Sequence, residues 1–174
     1  MVVLKRKFWA IESPVLGASF EILTTSLDNS VGKHIKIDMT RQLKGKNAEV
    51  VMEVVKKDDK IVGEIISLTV APSYIRRIMR KGASYIEDSF QCNAKDSKMR
   101  LKFLMFTRKK IHRSVRNALR LKAIEVLTEF CKEKNSEDVF AAILDMSIQK
   151  ELSLRLKKIY PLAFCDIRIA NKEK

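Results

Sequence analysis

Ser97–Ile124 reads SKMRLKFLMFTRKKIHRSVRNALRLKAI, and its hydrophobic period changes partway along. From Lys98 to Thr107 the residues alternate with period two. This puts Met99, Leu101, Phe103 and Met105 on one face of a strand and Lys98, Arg100 and Lys102 on the other. From about His112 the repeat lengthens. Val115, Leu119, Val126 and Phe130, with Ala123 between them, line one side of a helix predicted to run to about Lys134, and Arg113, Arg116 and Arg120 share a neighbouring stripe.

Upstream of this stretch the chain is strand-like. Ala48–Lys57 and Ile61–Val70 are rich in β-branched residues and flank the polar turn Lys57–Lys60, the pattern of a hairpin. Phe8–Ile11, Phe20–Thr25 and His34–Ile37 are shorter candidates between turn-forming breakers. Pro72 opens a short predicted helix in which Tyr74, Ile75, Ile78 and Met79 recur at helical spacing, with Gly82 as its end. Tyr85–Cys92 returns to strand character.

Downstream, Ser136 with Glu137 and Asp138 behind it predicts a hydroxyl-capped helix start. Ser147 opens another helix with Ile148, Leu152, Leu156 and Ile159 on its apolar side, and Pro161 stops it. Cys165–Ile169 is a last strand, and Asn171–Lys174 is expected to fray. Strands first and helices last make the fold class α+β. At 174 residues the expectation is one domain over 1–174, strand-rich over about 8–107, helical over about 112–160 and closed by a strand at about 165–169.

The longest apolar runs are far shorter than the ~20 residues of a membrane span, and Met1–Phe8 lacks the apolar stretch of a signal peptide. A cytoplasmic protein is expected. Cys92, Cys131 and Cys165 are odd in number and widely spaced, so they read as core thiols rather than a disulfide framework or metal knuckle.

The net charge of +14 is the strongest functional signal, because self-repulsion on this scale does nothing for folding and an anionic partner is its usual explanation. Ser97–Ile124 holds ten basic residues and no acid. That leaves twenty-five basic residues against twenty-one acidic ones elsewhere, a net of only +4. The candidate binding set is therefore Lys98, Arg100, Lys102, Arg108, Lys109, Lys110, Arg113, Arg116 and Arg120. Arg76, Arg77, Arg80 and Lys81 of the short helix are the next candidates. Same-face residues sit ~7 Å apart on a strand and ~5–6 Å apart at helical spacing, so such a series can follow phosphates, and arginine's planar fork suits phosphate oxygens.

Chemistry of other kinds is not asked for. His34 and His112 have no second histidine at ligand spacing, so no metal is expected. Gly32-Lys33 and Gly45-Lys46 lack the rest of a Walker loop and read as turns. Asp58-Asp59 and Glu137-Asp138 sit in turn or helix-start contexts. No cofactor, catalytic residue or membrane contact is expected. With no helix-turn-helix, zinc finger or basic zipper, structured RNA is favoured over DNA, and without an RRM-type aromatic platform its backbone and shape are favoured over its bases.

Thr69–Arg120 resembles the archaeal and eukaryotic small-subunit ribosomal protein family S-three-A-e (also e-S-one). The resemblance is carried by Tyr74–Lys81, by the Lys95-Asp96 turn, by Arg100–Lys109 and by the arginine helix that follows. Trp9, Pro14, Lys44-Gly45-Lys46 with Glu49-Val50, and Lys158–Leu162 extend it along nearly the whole chain. Asp96-Ser97 stands where the family usually has Asp-Gly, and Gly45-Lys46 where it has Gly-Arg. The resemblance implies a strand-rich, barrel-like body with a short central helix and C-terminal helices, on the platform of the small subunit. It further implies small-subunit ribosomal RNA and neighbouring platform proteins as partners, with messenger RNA near its exit as a further contact.

Overall fold

The computed structural model describes residues 6–26, 28–57 and 60–173. The expected turn at Asp58-Asp59 lies outside them, as does Lys174. In chain order the elements are β1 (Lys7–Ser13), β2 (Ala18–Thr24), a short 3-10 turn (Asp28–Ser30), β3 (His34–Asp38), β4 (Ala48–Lys57), β5 (Lys60–Val70) and α1 (Pro72–Ile78). They continue with β6 (Tyr85–Asn93), β7 (Lys98–Thr107), α2 (Arg113–Glu133), α3 (Ser136–Leu144), α4 (Ser147–Leu156) and β8 (Leu162–Glu173). This is the α+β arrangement that the order of periodicities predicts.

The strands form one sheet ordered β2-β1-β5-β8-β7-β6, with β4 joined to both β3 and β5. β5 is the junction. One edge pairs with β4 throughout, and the other gives Val62 to Glu12 of β1 in parallel and Ser67–Thr69 to β8 antiparallel. The register of the β4–β5 hairpin shifts where Val51 faces Ser67 but Met52 faces Ile65. The extra residue, Ile66, resets the alternation, so Ile65 and Leu68 both reach the core.

Met99, Leu101, Phe103 and Met105 of β7 are buried as the alternation predicts, and Leu104 and Phe106 on the opposite face are buried too. The end of β7 is thus covered on both sides. On the first side lies α2, because Arg120 reaches Asp88, the partner of Phe103, and Cys131 is buried near Cys92, the cross-strand partner of Met99. On the second side Tyr74 of α1 meets Phe164, which meets Phe106 at 6.0 Å between ring centroids.

In α2 the buried side is Leu119, Ala123, Val126, Leu127 and Cys131, with Val115 and Phe130 only partly covered. The buried stripe follows the 3.6-residue repeat, and each large apolar side chain fully buried adds about 1.5–3 kcal/mol, which outweighs any preference of the arginine stripe. Among the described residues no helix is long and apolar enough to cross a membrane.

Three local expectations change. The first helix ends at Ile78, not at Gly82: Met79 is already extended, and Gly82, at φ +84°, makes the turn into β6. Ile159 is outside α4 and exposed, because Ile159 and Tyr160 both donate to the Leu156 carbonyl in a closing turn. Asn171–Glu173 do not fray. They extend the last strand well beyond Cys165–Ile169, pairing with Ser67 of β5 and with Lys98–Arg100 of β7.

The start of α3 is also built differently. Asn135 occupies the cap position without a side-chain bond, and Ser136 is the first helical residue. Its N–H donates to Asp96 Oδ1 at 2.7 Å and its hydroxyl to Asp96 Oδ2. Asp96 therefore caps the helix from the β6–β7 turn. Burial alone would raise the Asp96 carboxyl, but the bonds from Ser136 outweigh it, and with Lys172 nearby its pKa is lowered.

Candidate nucleic-acid interface

α2 returns antiparallel to β7, so Arg108–Lys110 form the turn between them at one end of the molecule. Two buried hydroxyls fix that turn. Thr107 Oγ1 accepts the Ser84 N–H at 2.9 Å and donates to the Lys109 carbonyl at 2.6 Å, while Ser84 Oγ accepts the Ile111 N–H at 3.1 Å. With their backbone so held, Arg108, Lys109 and Lys110 are exposed. Sequence reasoning missed Ser84 and Thr107; their only signal is a pair of polar residues beside strand ends.

Arg113 begins α2 and Arg116 follows one turn later, both exposed, with His112 at the cap making no side-chain bond and no acid in the first turn. A helix N-terminus already carries roughly half a positive charge, so arginines there oppose the dipole and favour an incoming anion. Arg120, further along, is committed to Asp88 at 3.4 Å. The three arginines, with Tyr85 and Glu87, line an open groove of about 640 Å³ between α2 and β6. Among the described residues that edge of β6 pairs with no other strand. Glu87 is occupied, since Arg168 and Tyr85 both donate to it. Burial, and then the bond to Glu87, push the Tyr85 phenol up to about 12.

A second groove, of about 610 Å³, opens beside the first. Arg77, Arg80 and Arg108 rim it, and its floor is Ile78, Ala83, Phe106, Ala163 and Phe164. The two grooves adjoin, because the Tyr85 ring of the first packs at a tilt against Phe106 of the second, 5.3 Å between centroids. Arg77 is held in place, its guanidinium 5.3 Å above the Tyr74 ring and one N–H donating to the Gly45 carbonyl at 3.1 Å. Arg76, Arg80 and Lys81 are exposed beside it. The fold thus gathers Arg76, Arg77, Arg80, Lys81, Arg108, Lys109, Lys110, Arg113 and Arg116 at one corner, with Arg120 behind.

Lys98, Arg100 and Lys102 are not brought to that corner. They point away from α2, and Lys102 stands about 17 Å along the strand from Thr107 at ~3.3 Å per residue. Arg100 is paired with Glu173 at 2.6 Å, and Gln91 donates to the same carboxylate.

Lys46, in the segment Lys44-Gly45-Lys46, is a structural cation rather than a surface one. It is buried against Asp166 at 2.8 Å, and Gln149 Nε2 donates to the same carboxylate at 3.2 Å. Nothing local in the sequence marks this pair, whose members lie 120 residues apart. All three cysteines are free; Cys92 and Cys131 are buried, the Cys92 thiol donating to the Met99 carbonyl at 3.6 Å, and burial pushes the Cys165 thiol up to about 12. No group of three or more His, Cys, Asp or Glu side chains able to hold a metal occurs among the described residues.

Comparison with known proteins adds a family. The chain is 27% identical over 173 residues to the small ribosomal subunit protein eS1 of Nanoarchaeum equitans, covering 94% of this chain and 87% of that protein. It is 25% identical to the protein of the same name from Methanobrevibacter smithii, covering 94% and 89%. A 30% identity to the Haloquadratum walsbyi protein extends over 115 residues, 63% of this chain and 52% of that one. The model of the Ribosomal S3Ae family matches residues 15–172, which include every element that builds the two grooves, and the chain belongs to that family.

Proposed function

We propose that this chain is a non-catalytic structural constituent of the small ribosomal subunit and binds ribosomal RNA through its cationic corner. The observation that carries this reading is the corner itself: nine basic residues from α1, the β7–α2 turn and the start of α2 converge there, and no ion pair among the described residues neutralises them. Phosphates are the partner that relieves such a concentration. Arg120, Lys98, Arg100 and Lys102 add to the field from greater distance. The relatives are named as proteins of the small ribosomal subunit, and a cytoplasmic ribosome with other ribosomal proteins as neighbours belongs to this reading. Placement on the platform and contact with messenger RNA near its exit belong to the same proposal, as does action as one domain over 1–174.

Gradient fractionation tests it. The tagged full chain should sediment with the small subunit and stay there through a high-salt wash. Recovery in the light fractions after that wash would favour the rival reading, a free-standing RNA-binding regulator or chaperone.

A further inference from the structure

The second groove has more than a phosphate-binding surface needs. Phosphate contacts require cations and backbone donors, not an apolar recess. Here three guanidiniums surround a floor of Ile78, Ala83, Phe106, Ala163 and Phe164, and among the described residues no carboxylate lines it. Its volume of about 610 Å³ lies within the roughly 300–1,000 Å³ range of small-ligand sites.

The groove owes its opening to a break in the ladder. Phe106 faces Phe164 and Thr107 faces Leu162, so Ala163 is an extra residue in β8 with no partner on β7. A methyl group at that position leaves the recess unfilled. Arg77 cannot simply fold down over the floor, because the Tyr74 ring and the Gly45 carbonyl already fix it.

We infer that this groove receives one unstacked nucleobase from a bulge or loop in otherwise paired RNA. The base lies against Phe164, with the buried Phe106 beneath it, and Arg77, Arg80 and Arg108 take the phosphates on either side. This deepens the RNA-binding reading above and rests on it. Guanidinium planes suit both parts of such a ligand, since they fork onto phosphate oxygens and stack on bases. A base within a continuous duplex is sandwiched by its neighbours and cannot enter a recess, so an extruded nucleotide is the form that fits. The apolar floor needs an occupant with an apolar face, and the uniformly cationic rim needs that occupant to be anionic. A nucleotide supplies both.

The test uses the full chain and two hairpin RNAs, one carrying a single 2-aminopurine bulge and the other a fully paired control. The wild type should bind the bulged hairpin about tenfold or more tightly, consistent with one stacked base, and should change the 2-aminopurine fluorescence. Ala163→Phe, at an exposed position, should fill the recess and reduce both effects to the paired level without weakening paired-RNA binding; Ala83→Leu is a second plug, with thermal melts checking that each variant folds. Equal, salt-dependent binding of both hairpins by the wild type would overturn the inference and leave the RNA reading standing. So would a bulge preference that survives both plugs. Failure to bind either hairpin at low salt would overturn both. Binding of a Glu- and Phe-containing peptide that Ala163→Phe abolishes, without any bulge preference, would overturn it in favour of a protein occupant.

Discussion

β7 carries basic residues into two regions that the fold treats in opposite ways. On the open face of β6, β7 and β8, Arg100 is answered by Glu173 and Arg168 by Glu87, while Lys98 and Lys102, without an ion-pair partner among the described residues, stand apart along the strand. At the corner where β7 ends, Arg108, Lys109, Lys110, Arg113 and Arg116 have no ion-pair partner among the described residues, and the last two sit at a helix end that is itself positive. A run of basic residues is therefore not a surface. Whether a cation joins the interface depends on where the topology places it and on which acids it brings beside it.

Lys46 marks the neutralised extreme, and removing it should have the largest effect on stability. Lys46→Ala leaves Asp166 buried and unpaired, which costs about 3–5 kcal/mol by the usual behaviour of buried pairs. Urea unfolding should show that loss, while RNA affinity of the fraction still folded should stay near wild type. An unchanged unfolding midpoint would mean that Lys46 is not the structural cation described.

A smaller effect is expected at the α3 cap. Asp96→Ala removes the acceptor of the Ser136 N–H and should cost about 0.5–2 kcal/mol. Because the folded Asp96 has a lowered pKa, its contribution is fully present above the ordinary carboxylate value and is lost as pH falls through the lowered one. Wild type should therefore lose stability more steeply in acid than Asp96→Asn; parallel thermal-melt curves across acidic pH would contradict this. Smallest of all, Arg100→Gln on the strand face breaks one largely exposed pair and should shift stability by less than about 1 kcal/mol, read from the same urea curves.

The parts of the fold that sequence revealed are those written in local periodicity. The β4–β5 hairpin, the β7 alternation and the apolar side of α2 each repeat at one spacing over many residues. What was not legible depends on distant partners. Asn171, Lys172 and Glu173 look like a frayed end, yet they complete β8 because β5 and β7 offer them open edges. The cap of α3 comes from a turn 40 residues earlier. Ile66 and Ala163 cannot be recognised as bulge residues from their own neighbours.

The candidate site divides along the same line. Charge density located Arg108–Lys110, Arg113 and Arg116, and composition flagged Arg76, Arg77, Arg80 and Lys81. The alternation of β7 placed Lys98, Arg100 and Lys102 on a face without showing that the face points away from α2. The second groove's aromatic floor joins Phe106 to Phe164 across separate segments, so no aromatic motif could announce it.

The difference between the two regions can be read directly from the salt dependence of RNA binding. Two variants each remove three cations: Arg108→Gln, Arg113→Gln and Arg116→Gln at the corner, and Lys98→Gln, Arg100→Gln and Lys102→Gln on the strand face. For a small-subunit RNA fragment, the slope of log affinity against log salt should fall by about three for the corner variant, one for each phosphate no longer neutralised, and by less than about one for the face variant. Both should melt close to the wild-type temperature, since all six side chains lie at the surface or only partly buried. Equal reductions of slope, or a larger reduction from the strand face, would contradict the assignment of RNA binding to the unneutralised corner.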